Sequence, residues 1–286
     1  MEMRFPAGMA KCDSEDCAGQ LRKHHRVSGR TAYACDHCGH HLYPLAGTIF
    51  EKSSTALRIW FQAMYLMGST RCGISAKQIQ RETGVTYKTA WRMFKQIRSM
   101  LEEKAVSPLG GRGKGVEVDE TYFGGKGGKP GRSVATKTPI IGIAERKGDV
   151  RAFVARDTKI ETIYPLIQEH VMPRNVVFTD EYNVYNGLGV RGYHHHRVRH
   201  TERVYVAGDA HTNSLEGFWS LVKRGIGGVY HNVGRHYLQS YLNEYSFRYN
   251  RRFDTQPMFA SFLQQIQQTQ KKPVCLPASE QPQTAL

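Results

Sequence analysis

Long hydrophobic runs and acidic residues are both scarce in this sequence of 286 residues. No apolar run reaches the roughly 18 residues that a membrane-spanning helix needs, and no basic-then-apolar segment opens the chain. We therefore predict a cytoplasmic protein without a membrane partner. Asp and Glu total 25 against 40 for Lys and Arg, giving a formal net charge of +15. This excess of positive charge indicates a polyanionic partner, for which nucleic acid is the natural candidate.

Cysteine is also infrequent, but four of the six cysteines lie in two close pairs. The second pair is a C-x-x-C motif followed by glycine, a tight turn that lets two thiolates converge on one tetrahedral zinc. The first pair is looser, with four intervening residues, and 17 residues between the pairs suit two knuckles joined by a hairpin. We predict one structural zinc held by Cys12, Cys17, Cys35 and Cys38. The alternative ligands are His37, His40 and His41, and the remaining cysteines, Cys72 and Cys275, are predicted to be reduced thiols.

Two helices separated by a tight turn are predicted downstream of the cysteines. Ser75 and Thr86 are suited to cap the two helices, and Gly84 to form the turn between them. The predicted inward positions are Ile79, Ala90, Phe94 and Ile97. The second helix is predicted to present four cations to DNA: Lys88, Arg92, Lys95 and Arg98. With the overall charge, this pattern favours a DNA-binding helix-turn-helix over a three-helix packing module without DNA.

An α/β domain is predicted after a glycine-rich linker, VSPLGGRGKG, at residues 106–115. GVEVDETYFGG indicates a strand carrying Asp119 and then a turn at Gly124 and Gly125, and residues 138–157 indicate a hairpin. A helix follows, and NVVFTDEY indicates a buried strand ending at Asp180. This order suits a mixed sheet whose first and fourth strands are neighbours, which would bring Asp119 and Asp180 together.

A helix at residues 213–225 supplies further candidates for a site at these aspartates. Its apolar arc is predicted to pack, whereas Asn213, Glu216 and Lys223 share the adjoining polar arc. Adjacent carboxylates are costly unless a cation neutralises them, and hard oxygen ligands select Mg²⁺ or Mn²⁺. Glu216 is thus a candidate third ligand, and Lys223 is placed to hold a DNA phosphate or terminal hydroxyl. A solvated helix face is the alternative interpretation of the same arc.

Other polar residues near these candidates receive simpler interpretations. Three acids are interpreted as flanking or solvated: Glu117, Glu120 and Glu181. Three consecutive histidines would alternate faces in a strand, which favours a basic edge facing DNA over a metal cluster: His194, His195 and His196.

Three sequence blocks resemble the signature blocks of DDE insertion-sequence transposases: VEVDETYFGG, FTDEY and HTNSLEGFWSLVKRG. The likeness is greatest to the ISXO2-like group, which carries an N-terminal zinc ribbon. GTIFEKSSTALRIWFQAMYLM and YKTAWRMFKQIR also resemble that group, so the likeness extends to about Arg252. It implies an RNase H-like core, metal-dependent cleavage and transfer of DNA strands, and action on the nucleoid. The implied partners are terminal inverted repeats, target DNA and further copies of the chain, as a dimer or higher assembly.

The resemblance bears directly on the third catalytic position, which in this group is either Asn or Glu. Both are present, at Asn213 and Glu216. We favour Glu216, because a carboxylate neutralises metal charge whereas an amide only coordinates weakly. Asn213 would then cap the helix or orient the carboxylate. The predicted catalytic residues are Asp119, Asp180 and Glu216, with Asn213 and Lys223 beside them.

These predictions combine into one organisation of the chain. We expect a zinc ribbon at 1–47, a helix-turn-helix region at 48–104, a linker at 105–115, an RNase H-like mixed-sheet catalytic domain at 116–253 and a polar C-terminal tail at 254–286, with Gln-rich sequence from Gln264 that frays. Two other functions stay open. One is a DNA-binding regulator with an inactive core, and the other is a hydrolytic nuclease or resolvase on the same fold.

Overall fold

A computed structural model describes residues 5–102, 107–124, 137–198 and 213–268. The chain divides into two compact units. One contains the described residues up to Trp60 together with those from Ser261, and the other is Phe61–Ala260. The helical region from Phe61 onward therefore belongs to the same unit as the α/β sheet, although the sequence suggested a separate domain. Gly125 and Cys275 lie outside the described residues.

The first unit contains a four-stranded antiparallel sheet built from short strands. The strands are β1 (Met9–Lys11), β2 (Leu21–Arg26), β3 (Tyr33–Cys35) and β4 (His41–Leu42), in the order β1-β2-β3-β4. Strands this short bury little apolar surface, and three cysteines form a buried cluster beside them. A metal ion bound by these sulfurs would therefore add folding stability that a hydrophobic core of this size cannot supply.

Three helices follow: α1 (Leu57–Ser69), α2 (Ala76–Thr83) and α3 (Tyr87–Met100). The Ser75 hydroxyl accepts a hydrogen bond from the Gln78 backbone N–H, and Thr86 caps α3 in the same way. Gly84 adopts φ +72° between α2 and α3, a left-handed conformation that suits glycine. The predicted caps, turn and inward positions are confirmed, since Ile79, Ala90, Phe94 and Ile97 are all buried.

The α/β part contains a five-stranded mixed sheet in the order β7-β6-β5-β8-β9. Its strands are β5 (Val116–Phe123), β6 (Thr138–Glu145), β7 (Val150–Val154), β8 (Val176–Thr179) and β9 (His194–Arg197). β6 pairs antiparallel with both β5 and β7, whereas β5, β8 and β9 are parallel. The prediction that the first and fourth strands are neighbours is confirmed.

Helices cover both faces of this sheet: α4 (Ile160–His170) on one face, and α5 (Asn213–Gly225) and α6 (Arg235–Asn250) on the other. A hydrophobic core lies on each face of the sheet, and successive side chains of β6 point into one or the other. Ile141 and Ile143 pack with α4, whereas Ile140 and Ala144 pack with α5 and α6. The same alternation in β5 directs Val116 and Val118 toward α4. Glu117 and Asp119 therefore lie on the opposite face of the sheet, which α5 covers.

Parts of two segments predicted to be irregular are regular or packed in the described structure. The C-terminal tail contains α7 (Met258–Gln268), because Phe262 and Ile266 provide an apolar face that is buried. In the predicted linker, Leu109 is buried in the α4 core and exchanges backbone hydrogen bonds with His170 and Met172. Across the described ranges, no helix is both long and apolar enough to cross a membrane.

Candidate active site and metal centre

The two aspartates are brought together by the parallel pairing of β5 and β8. Val116 lies opposite Val177 and Glu117 opposite Phe178. Continuing this register by two residues places Asp119 beside Asp180, which follows directly after β8. The predicted juxtaposition of Asp119 and Asp180 therefore agrees with the observed sheet.

Asp119 is held by a tryptophan from α5. The indole Nε1 of Trp219 donates a hydrogen bond of 2.9 Å to Oδ2 of Asp119. Gly142 is the partner of Asp119 on β6, and a Cβ atom there would lie only 2.4 Å from Cζ2 of Trp219. The absence of a side chain at Gly142 thus leaves the space that the indole occupies when it reaches the carboxylate. Neither contact was predicted from the sequence.

Helix α5 carries Glu216, the candidate third acid, on the polar side of an amphipathic helix. Its inner arc is buried at Leu215, Phe218, Trp219 and Val222. Glu216 and Lys223 are exposed, and they line a concave surface of about 440 Å³ together with Asp119. Asn213 begins the helix, but its side chain lies outside the described structure.

Charge repulsion among these acids is evident at Asp119. Burial raises the pKa of Asp119 to about 6, and the charges of Asp180 and Glu216 raise it further, against the lowering effect of the Trp219 hydrogen bond. Burial likewise raises the pKa of Glu120 to about 7, with the charges of Asp180 and Asp119 contributing. The three predicted catalytic acids therefore interact electrostatically, and a cation would relieve their repulsion.

Of the acids interpreted from the sequence as flanking or solvated, Glu117 is buried and Glu120 is half-buried. Glu120 is half-buried and accepts a 2.6 Å hydrogen bond from the Tyr185 hydroxyl. Glu117 is fully buried, and its Oε2 accepts hydrogen bonds of 3.0 and 3.1 Å from the backbone N–H groups of Ser214 and Leu215. Its carboxylate also forms an ion pair of 3.2 Å with Arg146.

Glu117 therefore caps the N-terminus of α5, where negative charge is stabilised by the helix dipole. This contact anchors the helix that carries Glu216 to the strand that carries Asp119. The available sequence signal was its position two residues before Asp119, on the same face of a strand. Glu181 is exposed, as predicted.

The four cysteines form the second candidate centre. The sulfur atoms of Cys12, Cys17, Cys35 and Cys38 all lie within 4.8 Å of one another. A tetrahedral zinc with Zn–S bonds of about 2.3 Å requires sulfur separations of about 3.8 Å. The observed Sγ–Sγ distances are 3.5 Å for Cys12–Cys38 and 3.9 Å for Cys17–Cys35, which fit this requirement. Among the alternative ligands, His37 approaches Cys17 at 3.9 Å but is exposed, as is His40.

Comparison with known proteins identifies the family. Residues 108–250 match the model of the ISXO2-like transposase domain, a segment that contains the whole five-stranded sheet and the three candidate acids. The chain belongs to this transposase family.

Two relatives have names that refer to a transposable element or to a transposase. An uncharacterized protein in transposable element ISH50 of Halobacterium salinarum is 28% identical over 234 residues, covering 76% of this chain and 77% of the relative. An uncharacterized transposase-like protein of Haemophilus influenzae is 27% identical over 104 residues, covering 36% of this chain and 83% of the relative.

Structural similarity to solved transposase complexes is weak. The pre-cleavage Mos1 transpososome matches with a TM-score of 0.26 and 10% identity, covering 69% of this chain and 75% of the Mos1 chain. The Mos1 strand transfer complex matches with a TM-score of 0.23 and 12% identity, covering 74% and 80%. TM-scores this low do not establish a common fold.

The predicted DNA-facing side of α3 requires one correction. Lys88, Arg92 and Lys95 are exposed, and the Lys95 ammonium lies 5.6 Å from the ring centroid of Trp91. Arg98 is instead buried, because its Nε donates a 2.7 Å hydrogen bond to the fully buried Glu244 of α6. In this transposase-family chain, Arg98 is committed to an ion pair that joins α3 to α6.

The three consecutive histidines lie on β9, at an edge of the sheet. His194 and His196 are exposed, whereas His195 is half-buried and forms a 2.8 Å hydrogen bond with the Thr179 hydroxyl. They therefore alternate faces as predicted, and the two exposed rings add to the polar edge of the sheet.

Proposed function

We propose that this protein is a transposase that catalyses metal-dependent cleavage and transfer of DNA strands at the ends of an insertion sequence. The observation that carries the proposal is the gathering of Asp119, Asp180 and Glu216 from β5, the end of β8 and α5 within a matched transposase domain. The sheet order β7-β6-β5-β8-β9 supports the RNase H-like core that the sequence resemblance implies.

The donor set of the site fits a divalent cation. Carboxylate oxygens are the ligands that Mg²⁺ and Mn²⁺ prefer. Burial, and then the charges of Asp180 and Glu216, raise the pKa of Asp119, and a bound cation would oppose both effects. Asp119, Asp180 and Glu216 would hold the ion. When bound, such an ion supplies Lewis acidity toward a water or 3′-hydroxyl and toward the leaving oxygen of a phosphodiester.

The surrounding residues would position these ligands and the DNA. Trp219 occupies one oxygen of Asp119 and so fixes the orientation of that carboxylate. Lys223 lies two helical turns beyond Glu216 on the same concave surface, where its ammonium would contact a phosphate. The remaining candidate, Asn213, would orient Glu216 or the start of α5.

The N-terminal half of the chain would recognise DNA. We propose a structural zinc at the four cysteines and a helix-turn-helix formed by α2 and α3, with Lys88, Arg92 and Lys95 facing the terminal repeat of the element. A dimer or higher assembly would bring two element ends together. Arg92→Gln should weaken binding to a terminal-repeat duplex more than binding to a scrambled duplex, by about 1–3 kcal/mol if Arg92 reads a base.

The deciding experiment is cleavage of a terminal-repeat duplex by the full-length protein with Mg²⁺ or Mn²⁺. Asp119→Asn and Asp180→Asn serve as inactive variants of the same shape. We expect strand cleavage followed by joining to target DNA, and neither reaction in the two variants. Cleavage without joining would instead favour the nuclease or resolvase. Specific binding without metal-dependent cleavage would favour the regulator with an inactive core.

A further inference from the structure

A second concave surface lies where β5 and β8 begin. Its volume is about 810 Å³, and it is lined by residues 111–115, 146–147 and 172–176, with Phe178 and Ser214. We call it the basic cavity, because five of its lining residues are cationic: Arg112, Lys114, Arg146, Lys147 and Arg174. No acidic residue is among the lining residues that the structure describes.

Two of these cations already have protein partners. Lys114 forms a 2.7 Å ion pair with Glu145. Arg146 pairs with Glu117, and its guanidinium lies 3.5 Å from the ring centroid of Phe178. These contacts hold two of the cations that line the basic cavity. They also connect it to α5, because the same Glu117 caps that helix.

The other three cations are exposed: Arg112, Lys147 and Arg174. Within the described ranges they form no hydrogen bond or ion pair with the protein. Lys147 and Arg174 both adopt φ +59°, a left-handed conformation that is costly for residues with a side chain. Three exposed cations on three separate loops, without a partner among the described residues, line one cavity, and a bound anion would reduce their mutual repulsion.

We propose that the basic cavity binds the phosphate backbone of a DNA strand that also passes the carboxylate site, an inference that rests on the proposed function. A backbone contact is favoured over recognition of bases, because the Phe178 ring is buried beneath Arg146 and offers no surface for stacking. The spread of the charges over three loops suits several successive phosphates better than one small anion.

The separation between the basic cavity and Asp119 fits one DNA strand. Gly115 lines the cavity and Asp119 lies four residues further along β5, which corresponds to about 13 Å of extended chain. With a rise of about 3.4 Å per nucleotide, this distance corresponds to roughly four nucleotides. The cavity would therefore hold phosphates a few nucleotides from the scissile bond.

The test compares two double variants of the full-length protein that change net charge equally. Lys147→Asn with Arg174→Asn alters the basic cavity, and asparagine tolerates the left-handed conformation at both positions. Lys159→Asn with Arg235→Gln is the control, because both residues are exposed cations outside this cavity. Affinity is measured as a function of salt for a terminal-repeat duplex, an unrelated duplex of equal length, an RNA duplex and anionic vesicles. Thermal unfolding verifies that both variants are folded.

We expect the cavity variant to bind DNA about 3- to 30-fold more weakly near 0.1 M salt, with a log–log salt slope smaller by about 1 to 2. The control variant should bind like the unaltered protein. Loss confined to the terminal-repeat duplex would assign the cavity to element ends, and loss confined to the unrelated duplex would assign it to target DNA. Equal affinities of the cavity and control variants, or a loss seen only with RNA or vesicles, would overturn the inference.

The binding measurement also separates this inference from the proposed function. If the protein cleaves DNA but the cavity variant binds DNA as tightly as the control, the proposed function stands and the proposed DNA contact at the cavity is refuted. If the protein never cleaves DNA but the cavity variant binds DNA more weakly than the control, the DNA contact stands and the proposed catalysis is refuted.

Discussion

The cysteine cluster and the carboxylate site are both candidate metal centres, but their ligands are organised differently. The cysteine sulfurs already lie within 4.8 Å of one another, and three of the four residues are buried. The carboxylates come from three separate elements, Glu216 is exposed, and Asp119 carries a raised pKa. Among the described residues, only the cysteines gather three or more ligand atoms this tightly.

This difference is the one expected between a structural and a catalytic metal site. A structural zinc needs a closed set of four ligands and contributes directly to folding. A catalytic ion needs open positions for water and substrate, so its ligands must stay partly accessible. At the carboxylate site the candidate ligands are oriented but not enclosed: Trp219 holds Asp119 by a hydrogen bond, and Glu117 anchors the start of α5.

The largest expected effect concerns the proposed ligands of a catalytic ion. Asp180→Ala and Glu216→Ala should each lower cleavage of a terminal-repeat duplex by roughly 10³-fold or more, because each removes a proposed metal ligand. Asn213→Ala should retain measurable cleavage if that amide only caps or orients, and Lys223→Ala should be intermediate. Normal cleavage by Glu216→Ala together with an inactive Asn213→Ala would show that the amide is the third ligand.

The next effect should occur at the cysteine cluster. Purified protein should contain about one zinc per chain, and Cys35→Ser with Cys38→Ser should abolish it and unfold the N-terminal unit. Metal analysis and proteolysis of the first 60 residues measure both consequences. A brief wash with chelator should abolish cleavage but leave the zinc bound, and addition of Mg²⁺ should then restore cleavage. Protein purified without chelator that contains no zinc would contradict the zinc assignment.

A smaller effect is expected when the orientation of Asp119 is disturbed. Trp219→Phe keeps a ring in place but removes the indole N–H, so metal-dependent cleavage should fall about 10- to 100-fold. The metal concentration required for half-maximal cleavage should rise. Trp60→Phe is the matched control, because it removes a 3.1 Å indole hydrogen bond to Ser53 instead. Identical metal titrations for the two variants would exclude a positioning role for Trp219.

The smallest effect should be on stability, at the cap of α5. Glu117→Gln should lower the free energy of unfolding by about 1–3 kcal/mol, because a buried charged acceptor of two backbone N–H groups is lost. Glu181→Gln alters an exposed acid and should change stability by no more than about 0.5 kcal/mol. Urea unfolding compares the two variants, and equal midpoints would argue against the cap.

The sequence by itself determined the features that depend on local periodicity and on chain order. The spacing of Leu215, Phe218, Trp219 and Val222 specified the buried arc of α5, and the capping residues specified α2 and α3. The order of the strands favoured a sheet in which β5 and β8 are neighbours, the pairing that brings Asp119 beside Asp180. Cysteine spacing likewise predicted which sulfurs converge.

The tertiary structure alone decided which partner each polar side chain meets. Arg98 follows the same helical spacing as Arg92, yet it is buried against Glu244, 146 residues away. Glu117 looked like a flanking acid until α5, 98 residues later in the chain, placed two backbone N–H groups over it. Local patterns specify which face of an element is polar, because helix and strand geometry repeat over a few residues. The identity of the opposing group depends on pairings between distant segments, which no short pattern encodes.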